Sequence, residues 1–197
     1  MKVLSISLLH RINGESVFLG HAVYLSHFGF FKRKTIREML TFIPRILVDT
    51  NKIGSCGSME YHQYVCYYLW YRGICGILIC DCDYPERVVF KILYKAITDF
   101  LVSTGSEWTG QIIDNFRGFP KLYKILVKSQ DPCKVDKLFK IQSDLYSTQK
   151  TINQTIDIIL ERGEKIDDLI QRSDDISRES KLFYKGAKNT NSCCNIC

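Results

Sequence analysis

Three cysteines crowd the last five residues, Cys193-Cys194-Asn195-Ile196-Cys197, and theirs is the most specific chemistry that the chain offers. The run reads as a prenylation box, with Cys194 as the thioether acceptor; Asn195 departs from its aliphatic pattern. A final residue that is neither Leu nor Phe favours farnesyl over geranylgeranyl. Cys193 supplies a second thiol for a reversible palmitoyl thioester. One chain gives marginal binding, whereas two give stable anchoring. Three other readings of the tail stay open. Cys194-x-x-Cys197 has a redox spacing, although such motifs open a helix after a strand. A zinc half-site would need two further ligands, and His10, His21, His27 and His62 lie far off in sequence. A frayed terminus without function is the third.

A second residue of chemical interest is Arg162. Apolar or small residues recur at Leu138, Ile141, Leu145, Thr148, Ile152, Thr155, Ile159, Ile166, Leu169, Ser173, Ile176, Ser180, Phe183 and Ala187. The alternating steps of three and four are those of a coiled-coil seam. Arg162 falls in that register between Ile159 and Ile166. A charge in a core layer is costly unless it is paired and hydrogen-bonded. A guanidinium has five donors and no acceptor, so its partners must bring oxygens into the same layer. The layer then fixes register and partner choice. The competing reading is an arginine that snorkels to solvent from an imperfect heptad.

The elements that position these residues differ in kind. Residues 131–190 hold no proline beyond Pro132, and the spacing predicts one helix, about 80 Å long if continuous from residue 135. One helix cannot bury so narrow a stripe alone, so it needs partners. Residues 1–130 read as mixed α and β. Lys2–Leu9 and Ser16–Leu25 alternate as strands around Asn13-Gly14, a hairpin turn. Thr35 is expected to cap a helix over Ile36–Val48, with Pro44 as a kink or early end. A polar loop is expected at Asp49–Ser58, then strands Tyr61–Tyr71 and Ile74–Cys80 around Arg72-Gly73. A second helix follows Tyr84-Pro85, and a third covers Ile112–Lys128, bent near Gly118-Phe119-Pro120. The expected fold is α+β, an antiparallel sheet flanked by helices, then the long helix and a tail at 191–197.

Composition narrows the function classes. No stretch approaches the roughly 18 apolar residues of a membrane span. The apolar start, Met1–Leu9, has no cleavage site after it, and Lys2 excludes myristoylation. Cys56, Cys66, Cys75, Cys80, Cys82 and Cys133 are expected to be free thiols in a reducing compartment, mostly within strands. The net charge of +6 lies outside 138–190, where nine basic residues balance nine acidic ones. A basic domain suits an anionic membrane surface. No nucleic-acid motif accompanies the charge.

The run Ile156-Asp157-Ile158-Ile159-Leu160-Glu161-Arg162-Gly163-Glu164-Lys165-Ile166-Asp167-Asp168-Leu169 resembles the centre of an R-SNARE motif. With Ser180-Lys181-Leu182-Phe183-Tyr184-Lys185 and Ser192-Cys193-Cys194, it is similar to the doubly lipidated Ykt-type SNAREs. Phe28-Gly29-Phe30-Phe31, Met39-Leu40-Thr41-Phe42, Gly73-Ile74-Cys75-Gly76-Ile77-Leu78 and Asp83-Tyr84-Pro85 resemble that family's longin domain, which has a profilin-like fold. The resemblance implies that Arg162 is a zero-layer arginine, meeting three glutamines from partner SNARE helices in a parallel four-helix bundle. Zippering from Leu138 toward Ala187 would pull membranes together and drive vesicle fusion. It implies no cofactor beyond covalent prenyl and palmitoyl lipids. It also implies a longin groove beside the first helix that holds the SNARE segment or lipid, with Phe42 and Met39 as candidates. The site would be the cytoplasm and the cytoplasmic face of endomembranes: Golgi, ER, endosome or vacuole. Competing classes are a non-fusogenic membrane adaptor with a coiled-coil tether and an acyl-handling enzyme. No local Cys/His/Asp or Ser/His/Asp signature supports the enzyme.

Overall fold

A computed structural model describes residues 2–61, 63–138, 152–155, 166–182 and 184–185. The chain opens with a hairpin, β1 (Val3–Ile12) and β2 (Glu15–Val23), and crosses to a long helix, α1 (Phe30–Thr50). Three strands follow in a meander: β3 (Cys56–Tyr61), β4 (Tyr64–Tyr71) and β5 (Ile74–Asp81). Then come α2 (Glu86–Thr104), a 3₁₀ turn at Glu107–Gly110, α3 (Lys121–Lys128) and α4 (Pro132–Leu138). The strand order is β2-β1-β5-β4-β3, all antiparallel. A short sixth strand, β6 (Ile152–Thr155), then adds to the β3 edge in parallel.

Two of the hairpin turns follow from glycine chemistry. Asn13-Gly14 and Arg72-Gly73 place two consecutive residues in left-handed backbone, at φ 53° and 87° and at φ 50° and 81°. That pairing matches the twist of the flanking strands. The central strands are buried on both faces, so they read as nearly continuous apolar runs. Val3, Ile6, Leu8, Ile74, Leu78 and Cys80 turn toward α2 and α3. Leu4, Leu9, Cys75, Ile77 and Ile79 turn toward α1. Cys56, Cys66, Cys75 and Cys80 are buried free thiols, and Cys82 and Cys133 are exposed. Burial pushes the Cys66 thiol up to about 12, which keeps it protonated and inert.

Four sequence expectations need correction. Helix α1 starts six residues before the expected Ile36, at Phe30, and runs through Pro44 to Thr50. Leu40, Ile43, Leu47 and Val48, on both sides of the proline, are buried in the core, and this packing outweighs the lost backbone bond. Thr35 is therefore inside the helix, not its cap. Cys56–Tyr61, expected as loop up to Ser58, is a strand held along its whole length by β4. The expected helix from Ile112 begins only at Lys121. The preceding residues spend their backbone bonds on the β2 edge: Asn115 N–H donates to Phe18 O at 2.8 Å, and His21 N–H to Phe116 O at 3.0 Å. Gly118 passes so close to Leu19 O that a Cβ there would lie 2.5 Å from it.

The fourth concerns the C-terminal segment. It is not one straight helix in this chain by itself: it contributes strand β6, helix α5 (Ile166–Arg172), a break at 173–177 and helical turns at 178–182 and 184–185. A heptad stripe without bundle partners must find apolar cover elsewhere. Helix α1 provides it for Ile170 and Ile176, while the β3 edge takes up the backbone of β6.

His21 carries a pH dependence. Its Nδ1 lies 2.8 Å from Ser7 Oγ, and its ring lies edge-on to Phe18. Burial, with some help from the Arg37 charge, lowers its pKa to about 4. The unfolded chain takes up a proton near 6.5, so stability contributed by neutral His21 is present above that pH and is lost as pH falls toward 4. The expected loss is about 3 kcal/mol at most. Urea unfolding at pH 7 and pH 4 should show a smaller pH dependence in His21→Gln than in the native chain.

Candidate functional site: the face of helix α1 and the segment docked on it

The site is built on the face of α1 turned away from solvent on one side and toward the C-terminal segment on the other. Leu40, Phe42, Ile43 and Leu47 of α1 share one buried cluster with Ile170 and Ile176 of the segment. Phe28, Ile36, Met39, Leu169 and Tyr184 pack against it partly buried. Ile170 is 0 % exposed and Ile176 2 %. At ~25 cal/mol per Å², burying two such side chains stabilises docking by a few kcal/mol.

Polar groups fix the register of the docked segment. Glu38 Oε2 accepts from Ser177 N–H at 2.8 Å and from Ser177 Oγ–H at 2.9 Å. Burial alone would push the Glu38 carboxyl up. The Ser177 and Ser180 hydrogen bonds and the Lys34 charge outweigh it, and the pKa ends below the ordinary value. Ser180 Oγ meets Thr35 Oγ1 at 3.1 Å, with Ser180 1 % exposed. Ser177 thus opens the helical turn at 178–182, with Lys181 N–H donating to Ser177 O. Arg45 joins two regions. Its guanidinium pairs with Asp114, donates to Ser16 O at 2.9 Å and reaches Asp175 of the segment at 3.5 Å. Lys34 bridges Glu179 at 3.4 Å, but both side chains are mostly exposed and the pair adds little.

The backbone of β6 completes the contact. Gly57, Ser58, Met59 and Glu60 of β3 face Ile152, Asn153, Gln154 and Thr155 in register. The segment therefore closes the open edge of the sheet as well as covering α1.

The expected seam residues are distributed unevenly over this surface. Leu138 ends α4, Ile152 begins β6, and Ile166 and Leu169 lie on α5. Ile176 is buried in the break between helical turns. Arg162, Ile141, Leu145, Ile159, Phe183, Ala187, Cys193 and Cys194 lie outside the described residues. Of the two groove candidates, Phe42 is 7 % exposed within the shared cluster and Met39 packs on it half-buried. Sequence reasoning missed Ile170, which the heptad register skips, and missed Glu38, Arg45 and Ser177. The one available signal was the pair Leu169-Ile170, two adjacent apolar residues where a seam needs one. Ser7 and His21 form a Ser–His hydrogen bond, but Ser7 is 0 % exposed, so its hydroxyl meets no substrate.

No helix among the described residues is long and apolar enough to cross a membrane. Comparison with known proteins agrees with this architecture. Residues 25–122 match the longin family model, described as a regulated-SNARE-like domain, and residues 137–195 match the synaptobrevin model. The chain is 36 % identical over 182 residues to the VAMP-like protein YKT61 of Arabidopsis thaliana, covering 92 % of each. It is 37 % identical over 199 residues to the synaptobrevin homolog ykt6 of Schizosaccharomyces pombe, covering 100 % of each. It is 36 % identical over 200 residues to the synaptobrevin homolog YKT6 of Eremothecium gossypii, again covering 100 % of each. A longin sheet with a synaptobrevin segment folded onto its first helix, in a chain alike to these relatives over its length, belongs to the longin R-SNAREs of the Ykt type, proteins that act in vesicle membrane fusion with other SNAREs.

Proposed function

We propose that this chain is a lipid-anchored R-SNARE that alternates between the closed form described above and an open form that zippers into a parallel four-helix bundle. The observation that carries the reading is the double use of one segment. Leu169 and Ile176 lie on the heptad seam and are also part of the cluster on α1. One side chain cannot fill both places, so docking and bundle assembly exclude each other.

In the open form, the apolar layers from Leu138, Ile141 and Leu145 through Ile152, Ile159, Ile166, Leu169, Ile176, Phe183 and Ala187 supply the assembly energy. Arg162 supplies the register, with three glutamine side chains from partner helices accepting its hydrogen bonds. A farnesyl group on Cys194 and a palmitoyl group on Cys193 hold the end of the bundle at the bilayer. Zippering toward that end draws two membranes together. The domain plan is a longin unit at 1–130, a SNARE unit at 131–190 and a lipidated tail at 191–197. The setting is the cytoplasmic face of endomembranes, and no part of the mechanism requires a catalytic residue.

The test is coassembly with glutamine SNAREs. The expected result is a ternary or quaternary complex whose thermal stability falls in Arg162→Ala, because three buried amides then lose their donor, at about 1–3 kcal/mol for each unsatisfied group. Homo-oligomers indifferent to Arg162→Ala would instead make the chain a tethering adaptor.

A further inference from the structure

Phe30 and Phe31, at the start of α1, are 80 % and 92 % exposed. Exposed aliphatic side chains such as Val102 and Ile113 occur elsewhere, but these adjacent rings are the two most exposed aromatic side chains among the described residues. They stand edge to face, with centroids 5.8 Å apart. Lys32, Arg33 and Lys34 follow directly, and the first turn of α1 contains no acidic residue. The tip is held in place from beneath. Arg33 Nε–H donates to Phe28 O at 2.9 Å, and Lys32 N–H to Gly29 O at 3.0 Å. Two carboxylates act on Lys34, one from the docked segment and one from α1 itself. Glu179 shares Lys34, and Glu38 is occupied by Ser177.

We propose that Phe30-Phe31 with Lys32-Arg33-Lys34 forms a docking tip for an anionic bilayer surface, acting apart from the lipidated tail. The rings would enter the headgroup–acyl boundary while the cations engage lipid phosphates and carboxylates. Three features favour a bilayer over a protein partner. The rings form a protrusion and not a groove, so they need a soft apolar phase and not a shaped pocket. The charge beside them is of one sign and complements an anionic leaflet. Aromatic and basic residues side by side are the composition of interfacial membrane contacts. With the tip on the membrane, α1 and its docked segment lie next to the surface where the tail is to be anchored.

The test uses the full chain made in bacteria, which carries no prenyl or palmitoyl group, so failure of the tail as an anchor does not touch it. Flotation with phosphatidylserine-rich vesicles is compared with flotation on pure phosphatidylcholine. The expected result is binding to the anionic vesicles that weakens with salt. Phe30→Ser with Phe31→Ser should lower the partition coefficient at least about tenfold, given the apolar area of two rings. Lys32→Gln, Arg33→Gln and Lys34→Gln should together remove the preference for anionic lipid, at about fivefold for each charge. Unchanged thermal unfolding shows that the variants are folded. Equal partitioning of the Phe30→Ser/Phe31→Ser chain overturns the proposal. So does binding indifferent to lipid charge, or a chain that dimerises through these rings without binding vesicles.

Discussion

Ile170→Asp should open the closed chain while leaving bundle assembly intact. Ile170 is fully buried among the α1 residues in the closed form, yet the seam register of 166, 169, 173 and 176 passes it by. Truncating a buried isoleucine costs about 2–5 kcal/mol, and a carboxylate in the same place costs more. Even the lower figure shifts the closed-to-open ratio about thirtyfold, since each 1.4 kcal/mol is a factor of ten. Ile176→Asp should open the chain equally, but it also places a charge in a bundle layer and should impair coassembly. The pair of variants therefore separates closure from zippering. Small-angle scattering would report the increase in radius, and coassembly with glutamine SNAREs would report the retained function. An Ile170→Asp chain as compact as the native one would mean that β6 and the Glu38–Ser177 contacts hold the closed form without the apolar cluster.

Cys194→Ser should move the protein from membranes to the soluble fraction by orders of magnitude. Each methylene of a buried lipid chain is worth about 0.8 kcal/mol, so loss of a farnesyl chain leaves at most one reversible acyl chain, which gives only marginal binding. Cys193→Ser should have a graded effect. One remaining chain leaves marginal, reversible binding. The intact mass of the C-terminal peptide from eukaryotic cells, split into cytosol and membrane, would read both directly. The expected pattern is a farnesyl group on Cys194 in both fractions and a hydroxylamine-sensitive acyl group on Cys193 enriched in membranes. An unmodified tail in both fractions would remove the anchor and, with it, fusion by this chain.

Local chemistry made much of the longin sheet legible. The two left-handed pairs, Asn13-Gly14 and Arg72-Gly73, announced two of the three hairpins, and the apolar period of Val88, Val89, Ile92, Leu93, Ala96, Ile97 and Phe100 announced α2. Strand β3 was hidden because Gly57 and Ser58 look like loop residues, and only pairing with β4 makes them a strand. The stretch before α3 was hidden because its backbone partners lie on β2, almost a hundred residues earlier. The docked segment was the hardest part. Its heptad pattern is written for helices of other chains, so local reading returns the assembled form and not the one that this chain adopts alone. Ile170 was lost to the same register, and Glu38, one acid among several on a helix, showed nothing of its bonds to Ser177 until the fold brought them together.

The pairing of β6 with β3 has a cost that appears only on opening. When Ile152–Thr155 leave, β3 becomes a bare sheet edge with unsatisfied amides, and Glu60 is the only charged side chain along Cys56–Tyr61 to discourage a second strand. An opened chain is thus prone to aggregate with its own kind, and faster at higher concentration. If the chain cycles as proposed, closure would act as its own chaperone by keeping this edge covered until partner helices take up the segment.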